Sequence, residues 1–287
     1  GGEGRRTKQV AQTLGYSRQY HYKLLKQADE YAVVGTAVKR LVDTERKLMP
    51  RLGTRKLYHL IRPRLEAEGL KVGRDKLFGW MRTFGLLVAP RKRYVQTTMS
   101  KHWMRKYPNL LKGMEVNGPE QAWVSDITYI ATEEGNCYLN MVTDVYSRKI
   151  VGYALDDNME AANMAAALRM ALKEKQSRRA TLHHSDRGSQ YCSREYVGTA
   201  EAGGLRMSMT EQSDPYENAL AERMNRTIKE EFGLDGTVKT RQQVRQVVKE
   251  SVEIYNNRRP HLSLGMDTPS RVHQTKIPIT LGNRDFI

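Results

Sequence analysis

Three acidic residues hold the chemistry open to this 287-residue sequence: Asp126 in "WVSDITYI", Asp186 in "HHSDRGSQYCS" and Glu222 in "ENALAERMNRTIKEE". Asp126 falls in the middle of a strand rich in Val, Ile, Thr and Tyr. Strand alternation sets it with Val124, Thr128 and Ile130, on the face opposite Trp123, Ile127 and Tyr129. A carboxylate among apolar neighbours in an interior strand is costly unless it is paired or metal-bound. Asp186 lies at the end of a later short strand and Glu222 within a helix, with 35 residues between them. Acids from two strands and one helix can converge at the edge of a mixed sheet. Such an all-oxygen cluster suits Mg²⁺ or Mn²⁺ better than zinc, which favours His and Cys. Two such ions, about 3.5–4 Å apart, activate an attacking oxygen and stabilise a leaving one. The matching reaction is in-line displacement at a phosphodiester with no covalent enzyme intermediate. The acids must be ionised to act as ligands, and bound metal lowers their pKa values.

The elements that position these acids are legible as changes of period. "AWVSDITYIAT" and "NCYLNMVTDVYSRKIVGYAL", separated by an "EEGN" turn, predict a three-strand meander at about 123–131, 137–145 and 149–155. "MEAANMAAALRMALKEKQ" predicts a helix, a short strand at about 180–184 leads to Asp186, and "LRMSM" at 205–209 predicts another strand. "YENALAERMNRTIKEEFG" and "RQQVRQVVKESVEIYNNRRP" predict helices closed by Gly233 and Pro260. Three antiparallel strands, helix, strand, helix, strand, helix make an α+β mixed sheet flanked by helices over residues 122–273.

Charge divides the chain. Residues 1–121 hold 26 Lys and Arg against 10 Asp and Glu, whereas residues 122–287 hold 22 of each, so the whole net charge of +16 lies in the first part. A basic region joined to a neutral one predicts a polyanion-binding module beside a module with another task. The basic part carries helical patterns. Val10, Ala11 and Leu14 form the apolar side of a first helix ended by Gly15, and Ser17 caps a second that bears Arg18, Tyr20 and Lys23. Another helix is predicted at 29–48, and residues 5–48 form a first helix-turn-helix unit with its connecting helix. A second unit spans 50–88. "GTRKLYHLIRPRLEAEGL", with Arg55 and Lys56, stops at Gly69, and Pro63 is expected to kink or break it. "VGRDKLFGWMRTFGL" carries Arg74 and Lys76 where a recognition helix would meet a groove, and Trp80 and Phe84 toward the core. Residues 89–121 read as a basic linker, with Arg91, Lys92 and Arg93 able to track phosphate, and 274–287 as a tail.

Other classes are excluded by composition. No apolar run approaches the roughly 18 residues of a membrane span, and the start has no signal-peptide apolar core. The Gly-rich residues 1–4 are set aside from the fold reading. Cys137 and Cys192 are too few for a disulfide framework or a Cys-based zinc site, and a reducing, cytoplasmic setting is expected.

"WVSDITYI", "YLNMVTDVYSRKIVGY", "HHSDRGSQYCS", "ENALAERMNRTIKEE" and "YNNRRPHLSLGMDTP", in this order, resemble the catalytic core of DDE transposases and retroviral-type integrases. The set is most similar to the second-frame (OrfB) transposases of the IS-three group of bacterial insertion sequences, over about residues 50–273. The resemblance implies a ribonuclease-H-like fold preceded by all-α helix-turn-helix DNA-binding units. It implies Asp126, Asp186 and Glu222 as catalytic metal ligands for two Mg²⁺ or Mn²⁺ ions, and Lys229, on the Glu222 face, as a holder of the DNA end. The implied activity is cleavage and strand transfer at the element's terminal inverted repeats, through a circular form, into target DNA near the bacterial nucleoid. The implied assembly is a homo-oligomer on paired ends; with no leucine-zipper segment visible, the chain either needs an upstream-frame (OrfA) partner or is the downstream product of a frameshifted pair. One departure is "SDPYENALAE", with Glu217 before Asn218 where the family has Asp-Asn-Ala.

Several residues keep two readings. Glu217 is either a charge at the helix start or an extra ligand; Asp144 is either a structural partner of Arg148 or an auxiliary ligand. His183 and His184 are either proton relays near the metals or packing groups, and Arg187 either shapes the turn or meets phosphate. "NNRRPH" either binds DNA or closes a helix. Two other functions compete: a DNA-binding assembly factor without chemistry, and a structure-selective nuclease of the same fold.

Overall fold

β1 (Ala122–Thr132), β2 (Gly135–Asp144) and β3 (Ile150–Asp156) form the antiparallel meander expected from the sequence. The structure is a computed structural model that describes residues 13, 15, 17–89, 103–211, 217–236 and 240–274. The chain divides into two compact units, Gly1–Ala89 and Pro90–Ile287.

In the second unit β4 (Thr181–Ser185) pairs parallel to β1, and β5 (Leu205–Met209) pairs parallel to β4. The sheet order β3-β2-β1-β4-β5 is that of the ribonuclease-H-like fold. Between the strands run α5 (Ala161–Glu174) and α6 (Arg194–Ala202), the second of which Ser193 starts by accepting the Tyr196 amide. They cover the face of the sheet that carries Trp123, Val142, Val151 and Met207, giving one apolar core. α5 lies unusually close to β3 because Ala165, Ala167 and Ala171 are small and Gly152 has no side chain: a Cβ there would overlap the Ala167 carbonyl oxygen. After β5 come α7 (Ala219–Glu231), α8 (Arg241–Asn257) and α9 (Pro269–His273). A Thr240/Gln243 capping box starts α8.

Residues 103–121 are not the spacer read from the sequence. The Met209 amide donates to the Pro108 carbonyl, the Leu110 amide to Ser208 Oγ, and Met104 and Tyr107 pack on the core. This segment is fastened to the end of β5, which alternation alone does not reveal. The remaining linker residues, Arg91, Lys92 and Arg93 among them, lie outside the described residues, as do 275–287.

The first unit contains α1 (Arg18–Glu30), a π-helical turn (Tyr31–Gly35), α2 (Thr36–Leu48), α3 (Thr54–Ala67) and α4 (Arg74–Thr83). The sequence reading separated the helix after Ser17 from the helix at 29–48. Instead they run together, because no stop signal lies between them and Gly35 serves for close approach: a Cβ on it would meet the Trp80 ring at 3.0 Å. Ser17 caps α1 as expected, accepting the Tyr20 amide at 3.1 Å. Apart from Thr13, the helix predicted before it lies outside the described residues. Pro63 does not break α3, since Leu57, Ile61 and Leu65 on both sides of it are buried in one core with Leu77 and Met81 of α4. α3 and α4 form the expected helical pair, joined through Gly69 at φ 75° with Leu70 N donating to Leu65 O.

Candidate active site

The parallel ladder between β1 and β4 ends with Ser125 opposite Ser185. The next residue on each strand is Asp126 and Asp186, so two carboxylates stand side by side where the ladder opens. Glu222 comes from the first turn of α7, which lies along β1. Burial pushes the Asp126 carboxyl up to about 7, with Asp186 and then Glu222 adding repulsion and the Asn225 amide opposing it. Burial and Asp186 also raise Glu222, against the pull of Arg226. The three acids therefore share one negative field. The Asp186 carboxylate is set by the chain itself: its Oδ1 accepts the Gly188 amide at 2.9 Å. Gly188 allows this close approach, since a Cβ would sit 3.0 Å from that same oxygen.

Asn225 is the residue at this site that sequence reasoning missed. Its Nδ2 donates to Asp126 Oδ2 at 2.9 Å, and its Oδ1 is buried with no hydrogen-bond partner. The available signal was its position three residues after Glu222, on the same helix face. A buried carboxylate resisting ionisation beside an unsatisfied amide oxygen is a donor set that fits a hard divalent cation. Among the described residues, no three His, Cys, Asp or Glu side chains stand at metal-ligand spacing. Glu222 is exposed at the rim.

The sequence matches the integrase core domain over residues 116–215 and again over 203–269. It is 34% identical over 270 residues to the "Insertion element IS600 uncharacterized 31 kDa protein" of Shigella sonnei, covering 91% of this chain and 96% of that one. It is 31% identical over 209 residues to "Transposase InsF for insertion sequence IS3A" of Escherichia coli K12, covering 72% of this chain and 73% of that one. This chain is an IS3-group, integrase-core transposase. Among solved structures, the HTLV-2 integrase catalytic core in complex with magnesium is similar at 17% identity and TM-score 0.44, over 55% of this chain and 98% of that one. The transposase is a DDE-type polynucleotidyl transferase that cleaves DNA and transfers strands.

Several residues singled out in the transposase sequence have structural partners. Lys229 is buried: its Nζ donates to the Tyr129 carbonyl at 2.8 Å and sits 4.5 Å over the Tyr129 ring. Helical spacing does place it on the Glu222 side, but β1 occupies that side, so the amine clamps α7 to the strand rather than facing DNA. Glu217 directly precedes the N-cap of α7, and its carboxylate accepts the Glu211 amide at 2.7 Å and the Asn109 side chain at 3.2 Å. Asp144 does not pair directly with the Arg148 side chain. Its carboxylate accepts the Glu120 amide at 2.7 Å and the Ser147 amide and hydroxyl at 2.8 and 2.7 Å. "NNRRPH" builds the fold: Asn256 bridges the Ile150 amide and carbonyl, and Arg259 forms a two-point pair with Glu231 at 2.7 and 2.8 Å.

His183 and His184 are buried, and burial lowers both pKa values, that of His183 to about 3. His183 Nε2 meets Ser125 Oγ at 2.9 Å and Tyr196 OH at 3.0 Å. His184 joins Ser208 to the Glu217 carbonyl. His184 shares the sheet face of Asp126, but both of its ring nitrogens are taken by these two partners. Asn218, the N-cap of α7, donates to the Ser125 carbonyl at 3.1 Å, beside Asp126. Arg187 is half-buried in the loop after Asp186. In the first unit Tyr20, Lys23, Arg55, Arg74 and Lys76 are exposed and Lys56 is half-buried. Arg74 pairs with Asp75 at 2.8 Å and Lys76 with Glu30. Exposed pairs of this kind are weak enough to exchange for phosphate.

Proposed function

We propose that Asp126, Asp186 and Glu222 are the catalytic acids of this transposase and hold two Mg²⁺ or Mn²⁺ ions. The observation that carries the reading is the β1/β4 register, which sets Asp126 beside Asp186 within the field of Glu222. When bound, the ions activate the attacking oxygen and offset charge on the leaving one. The chain's own groups do the rest. Asn225 and the Gly188 amide orient two of the carboxylates, and β1, β4 and α7 supply a rigid frame for all three. In the first step water attacks the phosphodiester at an element end, the P–O bond to the 3′ oxygen breaks, and that oxygen leaves as a free 3′-OH. In the second step this hydroxyl attacks another phosphodiester, loses its proton and expels the oxygen it replaces.

The proposed substrates are the terminal inverted repeats of the element and a target duplex. They are bound by the basic first unit through Arg18, Tyr20, Lys23, Arg55, Lys56, Arg74 and Lys76, and by Arg91, Lys92 and Arg93 beyond it. Two ends must be held together, so the working form is a homo-oligomer at the bacterial nucleoid, with an upstream-frame partner supplying any further pairing surface. Among the described residues no helix is long and apolar enough to cross a membrane. The test is a joining assay on labelled element ends with Asp126→Ala, Asp186→Ala and Glu222→Ala. Each variant is expected to bind ends and form no joined product; strand transfer by any one of them removes that residue from the site.

A further inference from the structure

His184 is fully buried on β4, two residues before Asp186. Its Nε2 lies 3.1 Å from the Glu217 carbonyl oxygen and its Nδ1 lies 2.9 Å from Ser208 Oγ. A carbonyl only accepts, so Nε2 carries the proton and Nδ1 accepts from the Ser208 hydroxyl. Ser208 Oγ in turn accepts the Leu110 amide at 2.9 Å. Both ring nitrogens are therefore committed, and the tautomer is set by the register neighbour on β5.

The far end of this chain of bonds is the start of α7. Glu217 directly precedes the N-cap Asn218, whose carbonyl accepts the Glu222 amide at 3.2 Å. Asn218 is itself fastened to the Ser125 carbonyl of β1. The first turn of α7 is thus held at two adjacent residues, from β4 by His184 and from β1 by Asn218. Each fastening strand also carries one of the aspartates close by. α7 has no side-chain cap hydrogen bond of its own, so these two bonds, with those of the Glu217 carboxylate to the Glu211 amide and Asn109, locate its beginning.

We propose that His184 is a positioning residue for strand transfer: by holding the Glu217 carbonyl it sets where Glu222 stands relative to Asp126 and Asp186. The proposal rests on Glu222 being a catalytic acid. It gives the second histidine of "HHSDRG" a role through geometry, without contact to substrate.

The test uses the full chain with His184→Met, which keeps bulk and removes both bonds, and His184→Gln, which keeps an N–H for the Glu217 carbonyl. Ser208→Ala is a milder variant that frees the ring's other side, and Glu222→Gln runs in parallel. Three quantities are read: amide hydrogen exchange over residues 217–224 without metal or DNA, the Mg²⁺ concentration giving half-maximal end cleavage, and the melting temperature. His184→Met is expected to speed exchange at 217–224 and to raise the Mg²⁺ requirement about 10–100-fold, the range for residues that orient metal ligands. His184→Gln should recover most of both, and Ser208→Ala should shift both in the same direction by less. Wild-type exchange and Mg²⁺ requirement in His184→Met overturn the proposal, as does a His184→Gln defect equal to that of His184→Met. If His184→Met does not fold, wild-type values in Ser208→Ala overturn it instead. An active Glu222→Gln would overturn the assignment of the acid, a result separate from any of these.

Discussion

Asn225 donates its side-chain N–H to Asp126 Oδ2 at 2.9 Å, tying the helix that carries Glu222 to the strand that carries Asp126. The bond favours the ionised carboxylate against the burial and the Asp186 charge that disfavour it. Removing it raises the Asp126 pKa further. Asn225→Leu is therefore expected to lower joining about 10–100-fold and to move the acid limb of the pH–rate profile upward. Joining rates from pH 6 to 9 check this; a profile superimposable on wild type would sink it.

Asp126 itself should make the metal-free protein pH-sensitive. Its folded pKa is about 7 against an ordinary 3.8. Between those values the folded chain holds a proton that the unfolded chain has lost. The resulting stabilisation is complete below the unfolded value and is lost as pH rises through the folded one. With a chelator present, Asp126→Asn should melt higher than wild type at pH 8, with the gap closing toward pH 4. Equal melting temperatures at pH 8 would contradict the burial of an unneutralised charge.

A second buried polar node fastens α9. His273 Nδ1 lies 2.9 Å from Ser147 Oγ and 3.8 Å from Asp144, and its Nε2 lies 3.8 Å from Glu120. Burial opposes charge on this ring, but Asp144 and Glu120 outweigh it and raise the pKa. On the same sign rule for a raised histidine, the contribution is full below about 6.5 and fades as pH rises through the folded value. Urea denaturation should show His273→Ala costing about 2 kcal/mol at pH 6 and less at pH 9. A loss independent of pH would mean that packing alone holds α9.

End binding should weaken steeply with salt if the basic first unit is the DNA footprint. Each lost phosphate contact is expected to lower the log–log salt slope by about 0.9. Arg74→Ala and Lys76→Ala, measured by titration from 50 to 200 mM salt, are each expected to flatten the slope by about that amount. Unchanged slopes would take these two residues out of the interface.

Much of this was legible before folding. Alternation separated Asp126 from Trp123, and glycines, caps and period changes outlined the sheet and the helical pair. What was not legible were contacts between distant segments. The resemblance implies Lys229 as a holder of the DNA end and helical spacing sets it on the Glu222 face, yet its amine is engaged by Tyr129 of β1. "NNRRPH" reads equally as a DNA contact or a helix stop, and Asn256 and Arg259 are consumed by β3 and α7. Residues 103–121 have a linker's composition, yet they bond to the end of β5 and pack Met104 and Tyr107 on the core. In each case local pattern identified a face correctly and could not say what would cover it.

The sequence alone determined which residues are able to do the chemistry: three carboxylates, one on an interior strand, and a charge division that sets a basic module before a neutral core. Tertiary structure decided that Asp126 and Asp186 are neighbours. No turn joins β1 to β4, so no local rule sets their register; it follows from the packing of α5 and α6 beneath the sheet. On the opposite face α7 packs along β1 and covers Asp126, and burial is what turns an ordinary carboxylate into one that resists ionisation until a counter-charge arrives.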